Sequence, residues 1–321
     1  MYCKACGMES RTVDRCEWCK KPFAPQPKAP SGQGQGPQGR IPAQHPSEAV
    51  SRHSLPGSST PPQRRGHTAF IMLGPGSEPD PAAVCKDMSE RWPSLGDLTD
   101  PRVQRSASTM AFSFLVGELE VVVGRMPVPI PWRGHEFEEE CERSWLWRTA
   151  AEDLKPQTAH LVVAVCGHGE HLDLVRLLTQ TTASIFATSP NAIGVSWYDS
   201  NMMVSSRVFL KLAGLLPNLP LHLWINFRVV RNMEGGYAAC TTGLAPLGHM
   251  EFETLNAPEE PAKIRERLYA LAHYVLDHGP VIRDGDTIGE TAEERMRIVY
   301  SESEFGQPGR VMQLIYPTAR R

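Results

Sequence analysis

Residues 111–125 read Ala-Phe-Ser-Phe-Leu-Val-Gly-Glu-Leu-Glu-Val-Val-Val-Gly-Arg, two runs rich in Val, Leu and Phe on either side of Gly117-Glu118. Such side chains fit a pleated, half-buried surface, and a short Gly-containing link between two such runs is a hairpin signal. Upstream, residues 69–73 are an apolar run closed by Gly-Pro-Gly, and residues 80–92 carry Val84, Met88 and Trp92 at helical spacing. Downstream, residues 136–148 place Phe137, Cys141 and Trp145 on one helical face, and residues 160–166 form a further apolar strand. The order β-α-β-β-α-β is that of the ferredoxin-like split unit. The first half is therefore expected to be ferredoxin-like within a mixed or antiparallel α+β domain.

The second half repeats the mixture without a sequence repeat. Helices are predicted over residues 172–186 and 203–216, with a strand at 192–197 between them. Residues 221–230, 237–242 and 250–255 read as a meander of strands. Residues 259–277 form an amphipathic helix with Ile264, Leu268, Leu271 and Val275 aligned, ended by Gly279-Pro280. Strands at 295–300 and 311–316 close the domain.

Around this body, composition divides the 321 residues into three parts. Residues 1–23 hold four of the eight cysteines. Residues 24–66 contain nine Pro and six Gly and almost no bulky apolar side chains, so they are expected to be a disordered Pro/Gly/Gln-rich linker. Residues 67–321 are long enough for one large domain or two intimately packed halves. The formal net charge is −3, divided unevenly: ten Lys/Arg against four Asp/Glu give +6 for residues 1–66, leaving −9 for the rest. No apolar stretch approaches the ~18 residues of a membrane span, and the N-terminus lacks a secretory apolar segment. A soluble, cytoplasmic protein is expected.

The strongest chemical signal is Cys3-Lys-Ala-Cys6, nine intervening residues, and Cys16-Glu-Trp-Cys19. Two such knuckles place four thiolates tetrahedrally around zinc. Two disulfides and a rubredoxin-like iron site are the other readings, the first disfavoured by a reducing cytoplasm. Four cysteines fill the coordination sphere, so this site is expected to be structural, with Trp18, Lys20 and Lys21 near the presented surface. Gly34-Gln-Gly36-Pro-Gln-Gly39 fits a dinucleotide pattern in letters but has no strand before it and no helix after it, and is discarded.

Two weaker constellations lie in the body. Cys166-Gly-His168-Gly-Glu170-His171-Leu-Asp173 joins a strand to a helix. It reads either as a ligand site or as a glycine turn whose acids suit the helix dipole. His249, Glu251 and Glu253 alternate with Met250, Phe252 and Thr254, which predicts acid/base or metal chemistry, or else the wet face of an antiparallel sheet. Cys85, Cys141, Cys166 and Cys240 fall singly in apolar surroundings and read as buried thiols. Asp284-Gly-Asp286-Thr-Ile-Gly289 reads as a turn before a strand.

Thr241-Thr-Gly-Leu-Ala-Pro-Leu-Gly-His-Met-Glu251-Phe-Glu253 and Asp284-Gly-Asp286-Thr-Ile-Gly289 resemble a bacterial family known as domain of unknown function 4261. The resemblance is read over residues 67–316 and implies no activity. The N-terminal knuckles resemble the short zinc ribbons attached to many bacterial regulatory proteins.

The expectation that follows is a zinc-ribbon-bearing binding or regulatory protein acting through protein–protein contacts. Four thiolates on one divalent cation would bring the head from +6 to near +4, and nucleic acid is ranked below protein as a partner because that charge beside −9 on the body is a weak basic signal. The alternative is a metal-assisted hydrolase using His168, His171, His249, Glu251 or Glu253. It requires those segments to converge.

Overall fold

The computed structural model describes residues 64–98, 101–105, 109–233, 235–289 and 295–317. The four-cysteine ribbon expected at residues 1–23 and the linker up to residue 63 lie outside the described residues.

In chain order the first half contains β1 (Arg65–Leu73), α1 (Pro81–Arg91), β2 (Arg102–Arg105), β3 (Met110–Val116), β4 (Leu119–Met126), α2 (Glu136–Arg143), α3 (Ala150–Asp153) and β5 (Ala159–Gly167). The second half contains α4 (His171–Thr188), β6 (Ala192–Trp197), β7 (Met202–Ser205), α5 (Ser206–Ala213), α6 (Leu221–Trp224), β8 (Asn226–Arg231), β9 (Tyr237–Thr242), β10 (Phe252–Ala257), α7 (Pro261–His278), β11 (Thr287–Ile288), β12 (Met296–Glu302) and β13 (Arg310–Ile315). The class is α+β, as expected. β1 starts at Arg65, two residues inside the stretch that composition assigns to the linker.

Seven strands form one sheet in the order β2-β3-β4-β5-β1-β6-β7, with every neighbouring pair antiparallel. The β3–β4 hairpin turns at Gly117, whose φ of 57° suits the first loop position of a two-residue turn. The ferredoxin-like arrangement is not what forms. That topology would set β4 beside β1, whereas β5 lies between them, pairing Val123 with Val163 and Val163 with Ala69. α2 is a short helix that ends at Arg143; its Phe137 and Cys141 are partly buried against the Met72 and Met203 cluster, and its one buried residue is Glu140. The chain from β4 to β5 is instead an excursion over one sheet face, where Trp147, Ala150 and Leu154 pack with Met72 and Met203. Gly194 lies under this cover: a Cβ there would come 2.4 Å from the Trp147 ring.

The opposite face belongs to the main core. Ala69, Ile71 and Leu73 of β1 share it with Val84 and Met88 of α1 and with Leu174 and Leu178 of α4. α4 is buried around most of its circumference; Thr179 donates to the Val175 carbonyl and Thr181 to that of Leu177, Ser184 reaches Asp87 of α1, and Thr182 Oγ1 is buried without a partner. The Trp224 indole donates to Thr179 Oγ1 at 2.8 Å, tying the second half of the chain to this helix.

The second sheet runs β11-β12-β13-β10-β9-β8 and is antiparallel except between β10 and β13. The expected meander is its β8-β9-β10 portion. Ile264, Leu268, Ala272 and Val275 of α7 join the same core cluster as Phe227, Ala239 and Phe252 of this sheet. Two sequence elements divide. Residues 221–230 are a one-turn helix followed by a strand, and residues 203–216 are β7 followed by α5, whose Ser205 side chain accepts from the Val208 amide.

Candidate functional site

β5 and β6 end beside the first half of β1, and α4 starts at the same place. On β1, His67 shares the inward face with Ala69, Ile71 and Leu73, and is 2% exposed. Its Nδ1 lies 2.5 Å from Asp199 Oδ2, in the turn that follows β6. Its Nε2 lies 3.2 Å from Nδ1 of His171, the first residue of α4. The three side chains form a line, Asp199 to His67 to His171. Burial, then the neighbouring His67 and Arg65, hold the His171 imidazole below its ordinary pKa.

The glycines of Cys166-Gly-His168-Gly serve packing. A Cβ at Gly167 would stand 2.8 Å from a Leu119 methyl and 2.9 Å from the Glu118 carbonyl oxygen, and one at Gly169 would crowd Leu119 and Leu174. His168 is exposed. Glu170 pairs with Arg65 at 3.4 Å, and Asp173 with Arg176 at 3.5 Å. Only His171 of this segment turns inward to other titratable groups. Cys166 lies half-buried beside the Arg64 guanidinium at 3.0 Å, and Arg64 also pairs with Glu120.

The second constellation overturns the wet-face reading. Glu251 is 2% exposed and Glu253 is fully buried, because β10 is an interior strand with loops folded over its start. Glu251 accepts from Thr241 Oγ1 at 2.7 Å and from the amides of Gly243 and Ala245 at 2.8 and 2.9 Å. Glu253 accepts from the Ser303 hydroxyl and from the Glu304 amide at 3.0 Å. Burial pushes both carboxyls above the usual range, and these donors pull in the opposite direction. Each carboxylate holds a loop in place. His249 is half-buried, and burial lowers its pKa.

The loop that Glu251 pins does reach the other constellation. It turns through Gly248 at φ 86°, where a Cβ would lie 3.7 Å from His171 Cδ2. The structure thus brings His171 and the 243–248 loop together, while His168, Glu251 and Glu253 take no part in the line of three. Among the described residues, no group of three or more His, Cys, Asp or Glu is arranged to hold a metal ion. In the line itself, both His67 nitrogens are already engaged, so the three side chains do not converge on a common point. His67 and Asp199 are functional candidates that motif reading misses. The available signal is a histidine on the apolar stripe of a strand.

Among the described residues no helix is long and apolar enough to cross a membrane. The family model described as domain of unknown function (DUF4261) matches residues 240–315. That stretch begins at the end of β9 and contains Thr241, Glu251, Glu253 and Ser303, the residues whose side chains hold the two loops. Comparisons with curated proteins and with solved structures find no match.

Proposed function

We propose that the protein is a zinc-ribbon-bearing binding or regulatory protein that acts in the cytoplasm through protein–protein contacts, with zinc held by Cys3, Cys6, Cys16 and Cys19. The observation that carries the reading is the spacing of these cysteines, two CxxC pairs nine residues apart. Four thiolates make a closed tetrahedral site, which supplies folding free energy to a segment too small for a core and leaves no position for substrate. The body fits this reading because Glu251 and Glu253 are engaged by loop donors. In the metal-assisted hydrolase built on His168, His171, His249 and these two carboxylates, Glu251 and Glu253 would have to give up these donors to bind a metal.

Metal analysis of the full chain purified without added metal is the test. About one zinc per chain is expected, lost on substituting Cys16→Ser and Cys19→Ser together. A chain purified under reducing conditions that binds no zinc refutes the ribbon. Binding to labelled nucleic acid that survives physiological salt would replace protein with nucleic acid as the partner.

A further inference from the structure

We propose that Asp199, His67 and His171 form a proton relay that makes His171 the general base of a site hydrolysing neutral carboxylic esters. This inference is independent of the ribbon, because every residue in it lies in the body.

The argument starts from which atom carries which hydrogen. A carboxylate only accepts, so Asp199 Oδ2, at 2.5 Å, requires the proton of His67 to be on Nδ1. With His67 in its neutral form, its Nε2 atom is then a lone pair, and it accepts at 3.2 Å from Nδ1–H of His171. That fixes the tautomer of His171 in turn: its Nε2 carries no proton. The line of hydrogen bonds has one direction and ends on a basic nitrogen. A carboxylate behind an imidazole holds it in orientation and stabilises the imidazolium that forms when it accepts a proton. Here a second imidazole extends that arrangement by one link.

The outer edge of His171 is where a substrate would meet it. Gly248 faces Cδ2, the ring carbon next to Nε2, and has no side chain to cover that edge. The loop carrying Gly248 is held by Glu251 through the Gly243 and Ala245 amides. The N-cap of α4, Glu170, takes the Asp173 and Leu174 amides on its carbonyl but makes no side-chain hydrogen bond to the helix, so the oxyanion donors would be the amides of His171 and Leu172. The titratable groups around the ring are His67, Asp199, Arg65 and Glu170. Arg65 is already paired with Glu170, and a phosphoester needs more uncommitted cation than this. A carbonyl that develops charge on a single oxygen matches the site better.

In the reaction, His171 Nε2 takes a proton from water as the water oxygen bonds to the carbonyl carbon. The bond from that carbon to the alcohol oxygen then breaks, and the departing oxygen takes the proton from Nε2. The products are a carboxylic acid and an alcohol, with no oxidant or reductant required. His171 is the catalytic residue. His67 and Asp199 are positioning residues.

The experiment uses the full chain in two measurements. Histidine ring 15N spectra of the unsubstituted chain are expected to show Nδ1–H at both His67 and His171. Hydrolysis of p-nitrophenyl acetate is expected to fall on the order of a hundredfold in His171→Gln and in Asp199→Asn. A proton on His171 Nε2 in the neutral ring overturns the proposal without reference to any variant. Hydrolysis no faster in the unsubstituted chain than in His171→Gln also overturns it, leaving the relay as a means of satisfying buried His67.

Discussion

At the scale of single residues, Glu251 shows how one carboxylate can organise a loop. Its three donors, Thr241 Oγ1 and the amides of Gly243 and Ala245, are left without their acceptor when the side chain is removed. Glu251→Ala is therefore expected to cost about 3–5 kcal/mol, read from urea unfolding. Gly194→Ala drives a methyl into the Trp147 ring and is expected to cost about 1–3 kcal/mol, with a change in tryptophan fluorescence at equilibrium. His222 tests the pH dependence. Its ring packs among Trp145, Phe227 and Tyr269, its Nδ1 is buried without a partner, and burial lowers its pKa. A histidine depressed in the folded state contributes stability that is present above its unfolded value, about 6.5, and lost as pH falls through the folded value. His222→Phe removes that loss. The melting temperature of the variant relative to the unsubstituted chain is expected to rise as pH falls from about 7 to about 5. His171 and His249 have shifts of the same sign in both proteins, so the difference isolates His222. The residue-level chemistry of Glu251 and Glu253 was only half legible. Period-two alternation suggested one shared face for them, but whether such a face is buried depends on the strand's neighbours.

At the scale of elements, local pattern was a good guide where an element is long or bounded by strong breakers. The strand at 192–197 and that at 237–242 form over the expected residues, and α4 extends the expected helix by one residue at its start and two at its end. Short apolar runs were ambiguous. Leu-His-Leu-Trp at the start of residues 221–230 makes one helical turn, and its bulky apolar side chains suit a buried strand equally well by composition. The four-residue strand β2, polar and exposed, carried no pattern to read. The link between α4 and α6 makes a prediction at this scale. Thr179→Val keeps the side-chain shape and removes the acceptor of the Trp224 indole, and is expected to cost about 1–3 kcal/mol in chemical denaturation. A loss below a few tenths of a kcal/mol would show that the indole finds another acceptor.

At the scale of the whole body, the two sheets do not have separate cores. Ile71 and Val163 of the first sheet belong to the same buried cluster as Phe252 and Ile298 of the second, with α4 and α7 contributing Leu178 and Leu268. A shared core couples the halves, so residues 64–321 are expected to unfold in one cooperative transition, with tryptophan fluorescence and far-ultraviolet circular dichroism tracing the same urea curve. Two separated transitions would show that the sheets are independent folding units. The sequence by itself determined the α+β class, most element positions, the hairpin at Gly117 and the knuckle spacing of the four N-terminal cysteines, because these depend on periodicity, turn chemistry and spacing within a few residues. The order of strands in the first sheet, the burial of Glu251 and Glu253, and the line from Asp199 through His67 to His171 were decided only by the tertiary structure. His67 meets residues 104 and 132 positions away, and no local preference specifies which distant chain will complete a strand edge or satisfy a buried imidazole.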